Sequence, residues 1–259
     1  MLTKLDQLSI ALEGPIAQVS LNRPAKRNAI NDVLIAQLHT CFINLPVSVR
    51  VVVLSGIGEH FCAGLDLAEL ADHDIAGGIA HSHSWHAAFE AIQMGRVPVV
   101  AVLQGAVIGG GLELASAAHL RVAEDSAFYA LPEGQRGLFV GGGGSVRIPR
   151  LIGFSMMTDM MLTGRVLSAD EGHQAGLSHY RTGDGEGLVR ALELAGKIAG
   201  NAPLSNFAVL QALPRIVGMS QGDGLFVESL VAAIAQGDPS AKARMRDFLS
   251  GKTGKVKKE

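Results

Sequence analysis

The chain has 259 residues, 48% hydrophobic and 18% charged, which is enough for one large domain, or one domain with an appendage, around a sizeable core. Its formal net charge of −2 excludes a dominant basic surface and argues against nucleic acid as the main partner. Cys41 and Cys62 are the only cysteines and indicate reduced thiols. Without a basic-then-apolar leader or a run of about 18 apolar residues, we expect a cytoplasmic protein with no membrane partner.

The first half of the chain mixes strand-like and helix-like segments. Residues 7–12 and 15–21 flank Glu13-Gly14 and are typical of a hairpin, and Asp32 is a candidate helix cap. Residues 72–84 are polar, His-rich and Gly-containing, so we expect a mobile loop that orders on ligand binding. The other predicted elements are strands at 49–54, 98–103, 120–123 and 127–130 and helices at 66–71 and 85–94.

From residue 145 onward the pattern is almost entirely helical. Ser168 with Glu171 forms a capping box, and Asp238-Pro239 is a typical helix start. Strands first and helices later predict an α/β body in residues 1–200 and a helical region in residues 201–259. The predicted helices span 146–152, 154–162, 168–175, 186–199, 204–217, 222–235 and 239–249.

Residues 105–114 contain three consecutive glycines between a strand-like and a helix-like run. A helix starting there directs unpaired N–H groups and the positive end of its dipole at an anion, or at an oxygen that gains charge. Glu113 follows among apolar residues, where burial of a carboxylate is costly. Such a residue therefore indicates either a bonding partner or a functional role. A plain tight turn remains an alternative. A dinucleotide fingerprint is disfavoured, because Leu114 occupies the place of its third glycine.

Two further segments extend this candidate site. Residues 61–67 also follow a buried strand and precede a helix, so they can supply a second N–H donor. Two such donors on one oxygen form an oxyanion hole. An ordinary loop capped by Asp66 is the alternative. Glu133 follows a strand and precedes the glycine-rich residues 141–144; alone, it is also typical of an acid at a helix start.

Taken together, these residues resemble the enoyl-CoA hydratase/isomerase family, also called crotonases. The resemblance covers residues from about 8 to about 250, and several motifs occur in the order typical of the family. These motifs are Leu21-Asn22-Arg23-Pro24, Lys26-Arg27-Asn28-Ala29, residues 61–67, residues 105–114, Leu131-Pro132-Glu133 and Leu162-Thr163-Gly164.

The resemblance implies a spiral of ββα units followed by a helical trimerisation region, in a homotrimer or a dimer of trimers. It implies an acyl-CoA thioester as substrate, with no metal and no cofactor beyond the CoA of the substrate. The oxyanion donors correspond to the N–H groups of Leu65 and Gly110, and the catalytic acids to Glu113 and Glu133. The residues expected to contact the substrate or its CoA part are Lys26, Arg27, Ala29, Ala63, Asp66, Leu67, Gly109 and Gly141.

The reaction depends on which acids are present. Glutamates at both 113 and 133 match hydratases, whereas Δ3,Δ2-enoyl-CoA isomerases usually keep only the second acid. Dienoyl-CoA isomerases have an Asp where this chain has Gly141. The resemblance therefore favours an enoyl-CoA hydratase. An isomerase or another acyl-CoA enzyme is the alternative, and a non-catalytic or RNA-binding relative is a remote one.

A cluster of ring side chains precedes the glycine stretch. His81, His83 and His86 lie close in sequence, but without a supporting carboxylate or cysteine motif they are a weak signal for a metal. In the resembled family this segment borders the acyl pocket. Trp85 and the histidines are therefore candidates for shaping specificity, with a solvated surface as the alternative.

Overall fold

The structure is a computed structural model that describes residues 5–70 and 74–252. The chain divides into two compact units, Met1–Ala199 and Gly200–Glu259. The described strands are β1 (Leu8–Glu13), β2 (Ile16–Leu21), β3 (Val51–Gly56), β4 (Val99–Leu103), β5 (Ala106–Ile108), β6 (Leu120–Glu124), β7 (Phe128–Ala130), β8 (Leu167–Ser168) and β9 (Tyr180–Thr182).

The first unit contains six helices and the second unit four, within the described ranges. Those of the first unit are α1 (Asp32–Ile43), α2 (Ile75–Gln93), α3 (Gly110–Ala117), α4 (Gly144–Thr163), α5 (Ala169–Ala175) and α6 (Gly187–Ala199). Those of the second are α7 (Pro203–Gln211), α8 (Leu213–Ile216), α9 (Gln221–Gly237) and α10 (Pro239–Leu249).

Two sheets organise the first unit. The larger sheet has the order β1-β2-β3-β4-β6-β9, in which the β1–β2 hairpin is antiparallel and the other pairs are parallel. The smaller sheet has the order β5-β7-β8. Strand β3 is apolar on both faces because Val52 and Leu54 join the main core, whereas Val51 and Val53 pack in a second core with α6. The predicted α/β fold is confirmed.

Several sequence predictions are confirmed within a few residues. The hairpin has the predicted strands, and Ser168 and Glu171 form the expected capping box at α5. The predicted break between two helices near residue 153 is a kink inside α4, where Gly153 has a φ of 79°. The sequence reading missed β5, β8 and β9, because strands of two or three residues have too few positions to show a period.

The predicted loop at residues 72–84 is wrong for its larger part. Helix α2 begins at Ile75, and the Asp74 side chain caps it by accepting the Gly77 N–H at 2.7 Å. Residues 72 and 73 lie outside the described residues. The missed signal is a set of small residues at helical spacing that line the groove between α1 and α2, namely Gly77, Ala80, Ser84 and Ala87.

Three boundary predictions also need correction. The cap of α1 is Asn31, whose Oδ1 accepts the Leu34 N–H at 2.9 Å, and Asp32 is the first helical residue. The helix predicted from Asp66 is a 3-10 turn, Leu67–Leu70, and residue 71 of that prediction lies outside the described residues. The single helix predicted at 204–217 is divided into α7 and α8 next to Pro214, which has no N–H to donate.

The capping of α2 gives a direct test of the corrected assignment. Asp74→Ala removes the acceptor for the Gly77 N–H, and we expect it to destabilise the first turn by about 1 kcal/mol. Hydrogen exchange should become faster at the start of α2, while the amides around the buried Phe89 remain protected. If the wild-type amides from 79 to 84 exchange as fast as an unfolded peptide, the helical assignment is wrong.

Candidate active site

Two chain segments lie side by side at the start of α3. The Cys62 N–H donates to the carbonyl of Ala106 at 2.9 Å, and the Ile108 N–H donates back to the carbonyl of Cys62 at 3.1 Å. The segment that contains Cys62 also pairs with Ile30. The Ile30 N–H donates to the carbonyl of Gly64, and the Asp66 N–H donates to the carbonyl of Ile30. The two segments singled out from the sequence are therefore held together by backbone hydrogen bonds.

The N–H groups of Leu65 and Gly110 come together at this junction. Gly64 has a φ of 93° and Gly109 a φ of 51°, left-handed values that favour glycine in both turns. A methyl group on Gly110 would lie 3.5 Å from the Leu65 nitrogen, so the two donors are neighbours. Within the described part of the chain, neither N–H donates to a protein acceptor. This geometry suits a carbonyl oxygen that gains negative charge.

Glu113 lies on the first turn of α3 and is only 3% exposed. Its Oε1 accepts two backbone N–H groups, from Gly142 and Gly144, each at 2.8 Å. The pKa of this carboxyl is raised from 4.5 to about 7, mainly by burial and in part by the nearby Glu133, while the two N–H groups and Arg147 act in the opposite direction. A group with this pKa can exchange a proton near neutral pH.

Glu133 follows β7 and precedes a 3-10 turn, Gly134–Arg136. Its Oε1 would be 2.6 Å from a methyl group on Gly109, which places the carboxyl against the glycine turn. Its Oε2 is buried and has no hydrogen-bond partner among the described residues. Burial raises the pKa of Glu133, whereas its own backbone N–H and then Arg136 lower it. The picture of a solvent-directed acid at a helix start does not fit this environment.

Both carboxyl groups line one cavity of about 380 Å³. The cavity is also lined by six residues that the sequence predicted as oxyanion-hole or substrate contacts, which are Ala63, Leu65, Leu67, Gly109, Gly110 and Gly141. The sequence did not single out six further wall residues individually, which are Ser82, Ile108, Arg136, Leu138, Phe139 and Val140. Ile108 belongs to the glycine stretch at 105–114, and residues 138–140 belong to the segment after Glu133, so the segments were indicated but not the side chains.

Four other predicted contact residues do not line the cavity. Lys26 and Arg27 are exposed on the neighbouring turn, and the carbonyl of Arg27 accepts the Ala63 N–H at 3.0 Å. Ala29 lies on the same turn, and Asp66 forms an ion pair with Arg23 at 2.9 Å. The turn at residues 26–29 is therefore bonded to the segment that carries Ala63 and Asp66. A contact between the side chains of this turn and CoA stays a prediction.

The ring cluster lies on α2. Trp85 and His81 line the cavity, and the Trp85 Nε1–H donates to His81 Nε2 at 3.2 Å. His83 and His86 have ring centroids 6.0 Å apart and do not line it. Over residues 5–70 and 74–252, no three His, Cys, Asp or Glu side chains are grouped to hold a metal ion. In the same ranges no helix has the length and apolarity needed to cross a bilayer.

Comparison with known proteins assigns the chain to a family. The family model described as enoyl-CoA hydratase/isomerase matches residues 12–230. Enoyl-CoA hydratase EchA19 of Mycobacterium tuberculosis is 29% identical over 235 residues, which cover 89% of this chain and 88% of that protein. The 2,3-dehydroadipyl-CoA hydratase of Escherichia coli is 30% identical over 255 residues, covering 96% and 98%.

The fold agrees with the same assignment. A crystal structure from Rhodopseudomonas palustris, provisionally named an enoyl-CoA hydratase, superposes with a TM-score of 0.94 at 57% identity and covers 98% of each chain. The chain belongs to the enoyl-CoA hydratase/isomerase family and has the crotonase fold. The resemblance inferred from the motifs is confirmed.

The raised pKa of Glu113 implies a pH-dependent cost to stability. The folded state holds the proton up to about pH 7, whereas an unfolded glutamate releases it near 4.5, so stability falls as pH rises between these values. Glu113→Gln should remove this loss and raise the free energy of unfolding by on the order of 3 kcal/mol at about pH 8.

Thermal unfolding at about pH 5 and about pH 8 checks this expectation, since the gain should appear only at the higher pH. Glu124→Gln is a matched control, because Glu124 is also buried and accepts a backbone N–H, from Gly187 at 3.0 Å, outside the cavity. A variant at 113 that is less stable than wild type at the higher pH would contradict the assignment.

Proposed function

We propose that the protein hydrates 2-trans-enoyl-CoA thioesters to 3-hydroxyacyl-CoA. The observation that carries the proposal is the placement of the buried Glu113 and the half-buried Glu133 in one cavity, beside two N–H donors that have no acceptor among the described residues. The names of the relatives, among them the 2,3-dehydroadipyl-CoA hydratase of Escherichia coli, support this reaction type.

The N–H groups of Leu65 and Gly110 would bind the thioester oxygen. Addition at C3 of a conjugated thioester moves negative charge onto this oxygen, so donors already aimed at it stabilise the transition state more than the ground state. The dipole of α3 acts in the same direction, because Gly110 is its first residue. Loss of one such donor typically costs about 3 kcal/mol in the transition state.

Glu113 would take a proton from water, and Glu133 would give one to C2. As the water oxygen bonds to C3, the C2–C3 double bond supplies the electron pair that accepts the proton at C2, and the net change is addition of one water. The two N–H bonds fix one oxygen of Glu113, which orients the carboxyl. The unpartnered Oε2 of Glu133 is available to carry the proton.

An isomerase that moves a double bond with Glu133 alone is the alternative. The unpartnered Oε2 of Glu133 favours it, since one carboxyl that removes and returns a proton is sufficient for that reaction. A non-catalytic or RNA-binding role has less support, because the net charge is −2 and the cavity contains both acids.

Substitution of the two acids separates these reactions. For a hydratase, Glu113→Gln and Glu133→Gln should each lower turnover by about 10²–10⁴-fold, with the double variant little worse than either. Glu124→Gln outside the cavity should retain turnover. The assay is loss of the conjugated thioester absorbance with short-chain, long-chain and aromatic enoyl-CoA, and formation of that absorbance from 3-enoyl-CoA.

The outcome distinguishes hydratase from isomerase. Retained activity on 3-enoyl-CoA after Glu113→Gln, with little hydration by the parent, would establish the isomerase instead. No turnover of any enoyl-CoA, together with clear activity on a different acyl-CoA, would overturn both.

We further propose that the protein is a homotrimer or a dimer of trimers, with the second unit at its interfaces. Helix α9 exposes large apolar side chains within that unit, including Phe226 at 65% and Ile234 at 60%. Apolar surface of this kind marks an interface between chains.

Sedimentation tests this assembly directly. The expected mass is three or six chains at micromolar concentration, and Phe226→Asp should reduce it because a charge would be buried at the contact. A stable monomer of the wild-type chain would contradict the proposal.

A further inference from the structure

The indole of Trp85 lies against the glycines that form the candidate site. A methyl group on Gly110 would lie 2.6 Å from its Cζ3 and 2.9 Å from its Cη2, and one on Gly142 would lie 3.0 Å from its Cε3. These three atoms are consecutive on one edge of the six-membered ring. The edge of the indole, rather than its face, therefore points at the start of α3 and at the glycine-rich residues 141–144, here called the glycine strip.

This edge lies beside the groups that the proposed function assigns to the reaction. Gly110 supplies one of the N–H donors, and a methyl group on Gly142 would also lie 3.2 Å from Oε2 of Glu113. In the proposed mode of binding, an acyl group whose carbonyl oxygen is bound at Gly110 and whose C3 lies near Glu113 would have the indole edge beside it. The atoms of the chain beyond C3 would then meet Trp85.

The ring is held in place by its neighbours. Its Nε1–H donates to His81 Nε2 at 3.2 Å, and it packs edge-on against Phe89 with ring centroids 5.5 Å apart. Trp85 is only 4% exposed although it lines the cavity. A buried side chain with a satisfied donor and two neighbouring rings does not change rotamer easily.

We propose that Trp85 is the end wall of the acyl site and restricts the protein to short-chain acyl-CoA thioesters. The inference rests on the proposed acyl-CoA function and adds its substrate class. An edge-on indole blocks a longer alkyl chain and offers no face for an aromatic acyl group to stack on. The missing Cβ atoms at Gly110 and Gly142 are what allow the ring to reach this position.

Binding of saturated thioesters tests the wall without requiring turnover. Isothermal titration with butanoyl-, octanoyl- and dodecanoyl-CoA should show no gain in affinity with length for the wild-type protein. Trp85→Ala should bind dodecanoyl-CoA at least about tenfold more tightly relative to butanoyl-CoA, because two or more extra methylenes become buried. Trp85→Phe is the matched control, since it keeps a ring at the wall and should retain the wild-type length dependence.

Wild-type fluorescence provides a second test if Trp85→Ala fails to fold. Trp85 is the only tryptophan, so its emission reports this wall without a label. Butanoyl-CoA should change the emission, and CoA without an acyl group should change it much less.

Three results would overturn the inference. The first is wild-type affinity that rises steadily with chain length, as for a chain that leaves past the exposed Phe139. The second is a length dependence altered by Phe139→Ala and not by Trp85→Ala. The third is an equal fluorescence change with CoA alone. If Trp85→Ala changes the dependence of affinity on chain length but no enoyl-CoA is hydrated, the role of Trp85 holds and the proposed reaction is rejected. If enoyl-CoA is hydrated but the substitution leaves the length dependence unchanged, the reaction holds and the role of Trp85 is rejected.

Discussion

The site depends on the carboxyl of Glu113 and the two backbone N–H groups that it accepts. A buried carboxylate is costly unless donors compensate for its lost hydration. Gly142 and Gly144 supply these donors, and Gly144 is the first residue of α4. The carboxyl therefore satisfies an N–H that the start of α4 would otherwise leave unpaired. One interaction thus joins α3 to α4 and orients the acid of the cavity.

Arg147 reinforces this junction from the first turn of α4. Its guanidinium donates to the carbonyl of Gly142 at 2.9 Å and to the side chain of Gln93, at the end of α2, at 2.6 Å. The glycine strip is consequently tied to α2, α3 and α4. The positive charge of Arg147 also favours the charged form of Glu113, which opposes the effect of burial on its pKa. The residue that ties these elements together therefore also acts on the acid of the cavity.

The sequence indicated much of the site, because the chemistry there requires unusual residues. Glu113 in an apolar run and glycines before a helix stand out in any pattern. Local pattern did not identify the wall of the cavity in the same way, and Trp85 and His81 were candidates only through the family resemblance. Trp85 contacts Gly110 only because α2 packs against α3. The composition of residues 75–84 is typical of a loop, and they form a helix whose small residues, such as Gly77, line the groove beside α1. Such contacts depend on tertiary packing, which local composition does not record.

The glycines therefore have two roles, and the sequence revealed one of them. At Gly64 and Gly109 the reason is backbone conformation, since both have positive φ. At Gly110, Gly142 and Gly144 the reason is space, because a methyl group would come within about 3 Å of Trp85 or Glu113.

This second role makes the two acids unequal. Glu113 can approach the backbone closely enough to accept two N–H groups, whereas one oxygen of Glu133 has no partner within residues 5–70 and 74–252. The carboxyl of Glu113 is fixed in orientation by these two bonds, whereas Oε2 of Glu133 is available to bond a ligand in the cavity. Two carboxyl groups of the same chemical type thus acquire different hydrogen-bond partners and different freedom of orientation.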